Sequence, residues 1–140
     1  MVRYYLGALA AICLSGISAQ DAEAISLGEF EYTNSCAQCH GASGKGDGPV
    51  APLLKKTPSD LTTLEKDNRG IFPVANVYSI IEGGADVRLH GPRDMPLWGN
   101  RFRNRIKGDE HSSGSPQEIN EYARTRILAL IEYLSTLQVK

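Results

Sequence analysis

Cys36-Ala37-Gln38-Cys39-His40 is a Cys-x-x-Cys-His pentapeptide, and it sets the expectations for everything around it. Two thiols three positions apart on one turn of backbone can each add to a vinyl group on one edge of a porphyrin. The next residue, His40, then lies under the iron and can give it an imidazole nitrogen. The pattern reads as a c-type haem attachment site: one haem, covalent through Cys36 and Cys39, with one axial ligand fixed by the same five residues. Two other chemistries use Cys-x-x-Cys. A thioredoxin-like dithiol needs no following His, and a zinc site needs two further ligands at short spacing. Outside an N-terminal leader the chain has no other Cys.

The 140 residues make one small domain at most. Charge is nearly balanced, with 15 basic and 16 acidic residues and a net −1, so nothing global points to nucleic acid. The third cysteine, Cys13, sits in an apolar N-terminal run, and no disulfide framework is implied. That run has the form of a targeting segment. Arg3 supplies the positive start, and Leu6 to Ile17 is an apolar stretch too short to prefer spanning a bilayer. The small residues Ser18 and Ala19 follow, so residues 1–19 are expected to be a signal peptide cleaved after Ala19, with Ala24 the alternative point. A lipoprotein reading of Cys13 fits poorly, because bulky Ile12 occupies the position that such processing wants small. An uncleaved anchor is the other option, and only then would the protein meet a membrane. Export agrees with the pentapeptide, because c-type haem is attached outside the cytoplasm. The expected location is the periplasm, and the expected folded domain is residues 20–140.

Ile25 to Ser35 predicts a short helix running into the pentapeptide. Gly28 and Tyr32 stand four apart on one face of it. A Gly there lets another helix approach, and the aromatic packs beside it; an ordinary amphipathic helix with an incidental Gly would carry the same pair. After His40 the stretch Gly41 to Pro49 holds four glycines in nine residues, which makes an irregular loop. It is no phosphate cradle, since no Gly-Lys-Ser/Thr ending is present and no strand precedes it. A buried ligand imidazole needs an acceptor for its other N–H. The carbonyl of Pro52, twelve residues after His40, is the candidate acceptor, the alternative being that Pro49 and Pro52 merely stiffen a loop. Asp60 can cap a helix over Leu61 to Lys66. A further helix is expected over Ala75 to Glu82, ended by Gly83-Gly84, with Val77, Ile80 and Ile81 on its apolar face.

His90 to Gly99 is too rich in Gly and Pro for a helix, which places Met95 on a loop. A thioether is a soft ligand for haem iron, and Pro96 restricts the backbone at Met95. Met95 therefore reads as the sixth ligand, with His90 and His111 as rivals. Trp98 can offer its N–H to a haem propionate, although burial against the haem edge would explain it equally. Arg101, Arg103, Arg105 and Lys107, with Arg88 and Arg93 before Met95, make the region basic. They read either as a docking patch for an acidic partner or as a solvated loop with an Arg or two for the propionates. Ser115-Pro116-Gln117-Glu118 is a helix start, and the helix should run from Pro116 to about Leu137 on one broad apolar face.

Taken together the chain resembles the class I monohaem cytochrome c family of exported bacterial type. The matching pieces are Gly28-x-x-x-Tyr32, the pentapeptide, Pro52-x-Leu54, Met95-Pro96-x-Trp98-Gly99 and Leu130-x-x-Tyr133, in the family's order. The resemblance implies an all-α fold, a small helical bundle wrapped around one covalent haem. It implies that the first and last helices cross at their Gly and aromatic positions. It also implies His40 as proximal ligand, the Pro52 carbonyl as its orienting acceptor and Met95 as distal ligand. The stretch 101–115 departs from the family as a longer polar insert. The implied function is that of an electron carrier, not an enzyme. It would work between an upstream dehydrogenase or quinol-oxidising complex and a downstream oxidase or reductase. Two alternatives stand beside it: a haem c subunit of a larger dehydrogenase or oxidase complex, and a haem enzyme or sensor with a labile Met ligand.

Overall fold

A computed structural model describes residues 25–83, 95–107 and 114–140. The leader and the residues Arg88, His90, Arg93 and His111 lie outside the described residues. The described chain is helical. Helix α1 spans Leu27–Ser35 and α2 spans Ala37–His40, then a 3-10 turn spans Ala51–Leu53. Helices α3 (Leu64–Asp67), α4 (Val74–Glu82), α5 (Trp98–Lys107) and α6 (Pro116–Thr136) follow. Among the described residues no helix is long and apolar enough to cross a membrane.

Each long helix has a local reason to start where it does. Ser26 Oγ accepts from the Glu29 amide at 3.1 Å and caps α1. At α6 the expected capping box is formed: the Glu118 amide donates to Ser115 Oγ, and the Ser115 amide donates to Glu118 Oε2 at 2.6 Å. Helix α4 begins one residue before the expected Ala75 and stops as the backbone turns left-handed at Gly83. The short helix after Asp60 is displaced from the expected Leu61–Lys66 to Leu64–Asp67. The Asp60 carboxylate accepts from both the amide and the hydroxyl of Thr62, each at 2.7 Å, so it closes a tight turn instead of starting a helix.

The core is a single cluster of Tyr32, Val77, Ile81, Phe102, Ala123, Ile127, Leu130, Ile131 and Leu134. It lies where α6 meets α1, α4 and α5. The α1–α6 crossing is the one expected from Gly28, Tyr32 and Tyr133. A Cβ added at Gly28 would run into the Ala129 carbonyl and stand 2.8 Å from Tyr133 Cβ, so only Gly permits this approach. One turn on, the rings of Tyr32 and Tyr133 pack with centroids 5.3 Å apart.

The largest departure from the sequence reading is α5. Residues 98–107 are a helix, where a loop and a polar insert beginning at Arg101 were expected. Gly99 was read there as a helix breaker. It is instead the point where α5 packs against the end of α4: an added Cβ would lie 2.7 Å from the Glu82 carbonyl oxygen. Phe102, set between Arg101 and Arg103, is fully buried and anchors the helix to the core.

Candidate functional site

Helix α1 delivers the pentapeptide almost without a break. The Cys36 amide donates to the Tyr32 carbonyl at 2.8 Å, and the His40 amide donates to the Cys36 carbonyl at 2.9 Å. The glycine-rich loop then folds back on α2. The amides of Gly46, Gly48 and Val50 donate to the carbonyls of His40, Cys39 and Gln38 at 2.8, 3.1 and 2.9 Å. These carbonyls end a short helix and would otherwise lack partners. The Tyr32 hydroxyl adds a buried bond to the Gly41 carbonyl at 2.6 Å, and burial pushes its pKa up. The loop therefore clamps the pentapeptide in place.

A cavity of about 320 Å³ opens beside it. Cys36, Cys39 and His40 line it, and so do Met95, Pro96 and Trp98 from the start of α5, with Leu54, Pro58 and Ser59 between. Five of the six residues expected at the site thus share one cavity. The sixth, Pro52, does not. It is exposed on the 3-10 turn, and the carbonyl facing His40 Nδ1 belongs to Ser59, at 3.0 Å. The chain lines the cavity from Leu54 onward and presents a carbonyl to the imidazole at Ser59. Nδ1 donating to Ser59 leaves Nε2 as the ring nitrogen available to a metal.

Cys36 and Cys39 are free thiols. Burial, with the charges of Glu31 and Cys39 adding to it, pushes the Cys36 thiol up to about 12. A dithiol redox centre needs the opposite, a lowered thiolate pKa. Among the described residues no group of three or more His, Cys, Asp or Glu is placed to hold a metal ion, as a zinc site requires. The donors present fit a haem instead: two thiols, one oriented imidazole and one thioether around a pocket walled by Leu54, Pro58, Pro96 and Trp98.

The arginines of α5 have partners within the fold. Arg103 pairs with Glu82 and also donates to Asn120 at 2.9 Å. Arg105 bonds both carboxylate oxygens of Glu31, at 2.7 and 3.0 Å, and Arg126 of α6 pairs with the same carboxylate. The Arg101 guanidinium lies over the Trp98 ring, 4.9 Å from its centroid. Arg103 and Arg105, two of the cations in the docking-patch reading, are thus paired within the fold. Glu31, fully buried at the centre of this cluster, was missed by sequence reasoning. The signal for it was faint, a surplus of arginines on α5 whose partner lies 74 residues upstream.

Comparison with known proteins agrees with this geometry. The family model for cytochrome c matches residues 25–138. Searches of curated proteins and of solved structures gave no match. The match spans the helices, the pentapeptide and the cavity, so the chain belongs to the cytochrome c family, whose members carry covalent haem c and serve in general as electron carriers.

Proposed function

We propose that this protein is an exported carrier of single electrons whose haem c is attached through Cys36 and Cys39 and ligated by His40 and Met95. The observation that carries this reading is the meeting of all four side chains at one cavity, with His40 already oriented through Ser59. When bound, haem c supplies an iron that cycles between the ferric and ferrous states. The residues around it do the rest. Cys36 and Cys39 would hold the group through two thioether bonds, and the Ser59 carbonyl orients the His40 imidazole. Met95 is soft and neutral, and a thioether paired with an imidazole favours the ferrous state and raises the potential. Leu54, Pro58, Pro96 and Trp98 would line the ring with apolar surface. His40 and Met95 would supply both protein ligands to the iron, so no substrate would need to reach it.

Cys36 and Cys39, both only partly buried, would hold the group close to the surface, where a partner can dock. Specificity then lies in brief docking with redox proteins: an upstream dehydrogenase or quinol-oxidising complex, and a downstream oxidase or reductase. Lys55 and Leu53, both exposed, stand next to cavity-lining Leu54 and Lys56 and are suited to such a contact. Removal of residues 1–19 on export would place the carrier in the periplasm. Two experiments test the reading. The dithionite-reduced protein is exposed to carbon monoxide; an unchanged spectrum is expected, and rapid binding would show an open iron. Cell fractionation with N-terminal sequencing is expected to find a periplasmic chain beginning at Gln20, and a retained leader would argue for an anchored form.

A further inference from the structure

The cavity is assembled from two separate elements. Cys36, Cys39 and His40 follow α1, whereas Met95 and Trp98 stand at the start of α5. Glu31 of α1 is fully buried, and Arg105 of α5 binds both of its oxygens. Arg126 of α6 holds the same carboxylate. The two arginines differ in what they connect. Helices α1 and α6 are already fastened by Gly28 against Ala129 and by Tyr32 against Tyr133, so Arg126 repeats an existing contact. Arg105 joins the helix that leads into His40 to the helix that follows Met95.

A buried ionic cluster contributes little net stability over well-packed apolar residues of similar volume. What it supplies is direction, because charged hydrogen bonds are short and angle-dependent. Here the direction set is that of α5 relative to α1. We infer that Glu31, acting through Arg105, is a positioning residue for the Met95 sulfur. It keeps the element bearing the distal ligand in register with the element bearing His40. This inference rests on Met95 being the sulfur ligand.

Arg105 is the place to cut. Its side chain is 41% exposed, so Arg105→Met opens no core cavity, and Glu31 keeps Arg126 as a partner. The ferric holoproteins of the wild type, Arg105→Met and Arg126→Met are titrated with imidazole while the far-red sulfur-to-iron absorption band is followed. Imidazole captures only molecules whose sulfur has left the iron, so its apparent affinity reports that fraction. Arg105→Met is expected to bind imidazole about tenfold more tightly than the wild type, and Arg126→Met to stay within about twofold of it. Glu31→Gln, which keeps the shape and removes the charge, is expected to shift in the same direction as Arg105→Met. It serves as the second variant if Arg105→Met is not recovered with haem. An affinity within about twofold of the wild type in Arg105→Met or in Glu31→Gln overturns the inference. So do equal shifts in both arginine variants, because they would mean general loosening. Absence of the far-red band from the wild type would refute Met95 ligation itself, a distinct failure.

Discussion

His40 and Met95 carry different kinds of constraint. His40 is held from three directions: by the helix turn from Cys36, by the returning glycine loop, and by the Ser59 carbonyl at Nδ1. Among the described residues Met95 has no such cage of backbone bonds, and it depends on the placement of α5 behind it. The distal side should therefore be the softer half of the site. Met95→Ala is expected to keep covalent haem, because neither thiol is touched, and to bind added imidazole readily. Its reduction potential should fall by on the order of 0.1 V, since axial ligands move haem potentials over a range of about 0.8 V. Potentiometric titration of the two proteins checks this, and an unchanged potential would mean that Met95 is not a ligand. The Ser59 carbonyl shows where residue-level reading stops. A carbonyl is present at every position, so only the path of the chain decides which one meets His40. Pro52 was favoured for its spacing, but the carbonyl that meets the ring is that of Ser59, which no spacing reveals.

At the scale of elements, the crossing of α1 and α6 is the most demanding feature. Gly28→Ala places a Cβ against the Ala129 carbonyl, which is backbone and cannot rotate away. The expected cost is about 1–3 kcal/mol, typical of overpacking, read by chemical denaturation of the holoprotein. The start of α6 gives a gentler and pH-dependent case. Hydrogen bonds from the Ser115 amide and hydroxyl hold the Glu118 carboxyl below its ordinary value. A depressed folded pKa means stability present above the unfolded value and lost as pH falls through the folded one. Ser115→Ala should lower the melting temperature near neutrality, and the gap to the wild type should narrow in acid as Glu118 is protonated. Melting curves at a series of pH values test the sign. The helix start was legible because it is local, a Ser-Pro-x-Glu motif; the crossing was legible only through the family resemblance, because the Gly-x-x-x-Tyr spacing by itself fits an ordinary amphipathic helix as well. Helix α5 was not legible. Its Gly99 and its five cations or amides among residues 100–105 argue for a loop by propensity, and tertiary partners override them. Glu82, Glu31, Asn120 and the Phe102 pocket come from three other elements, and no local pattern announces them.

For the molecule as a whole, the cavity dominates. The 320 Å³ cavity leaves the apolar surfaces of Leu54, Met95, Pro96 and Trp98 without partners until the haem fills it. Haem therefore completes the core as well as carrying the electron. The chain with both Cys36→Ser and Cys39→Ser, expressed without haem attachment, should lose its cooperative thermal transition by far-ultraviolet circular dichroism. A sharp transition in that variant would mean that the helices pack without the cofactor. The all-α architecture and the pentapeptide's place in it were readable because a covalent haem motif constrains everything around it. The buried Glu31 cluster was not, because three helices must already be folded for its charges to meet.

The ferric absorption spectrum of the exported holoprotein tests most directly whether the chain closes the iron from both sides. A weak far-red band of sulfur-to-iron charge transfer that persists at low concentrations of added cyanide or imidazole is the predicted result. A high-spin spectrum without that band would contradict it, leaving the iron open and Met95 without its proposed role.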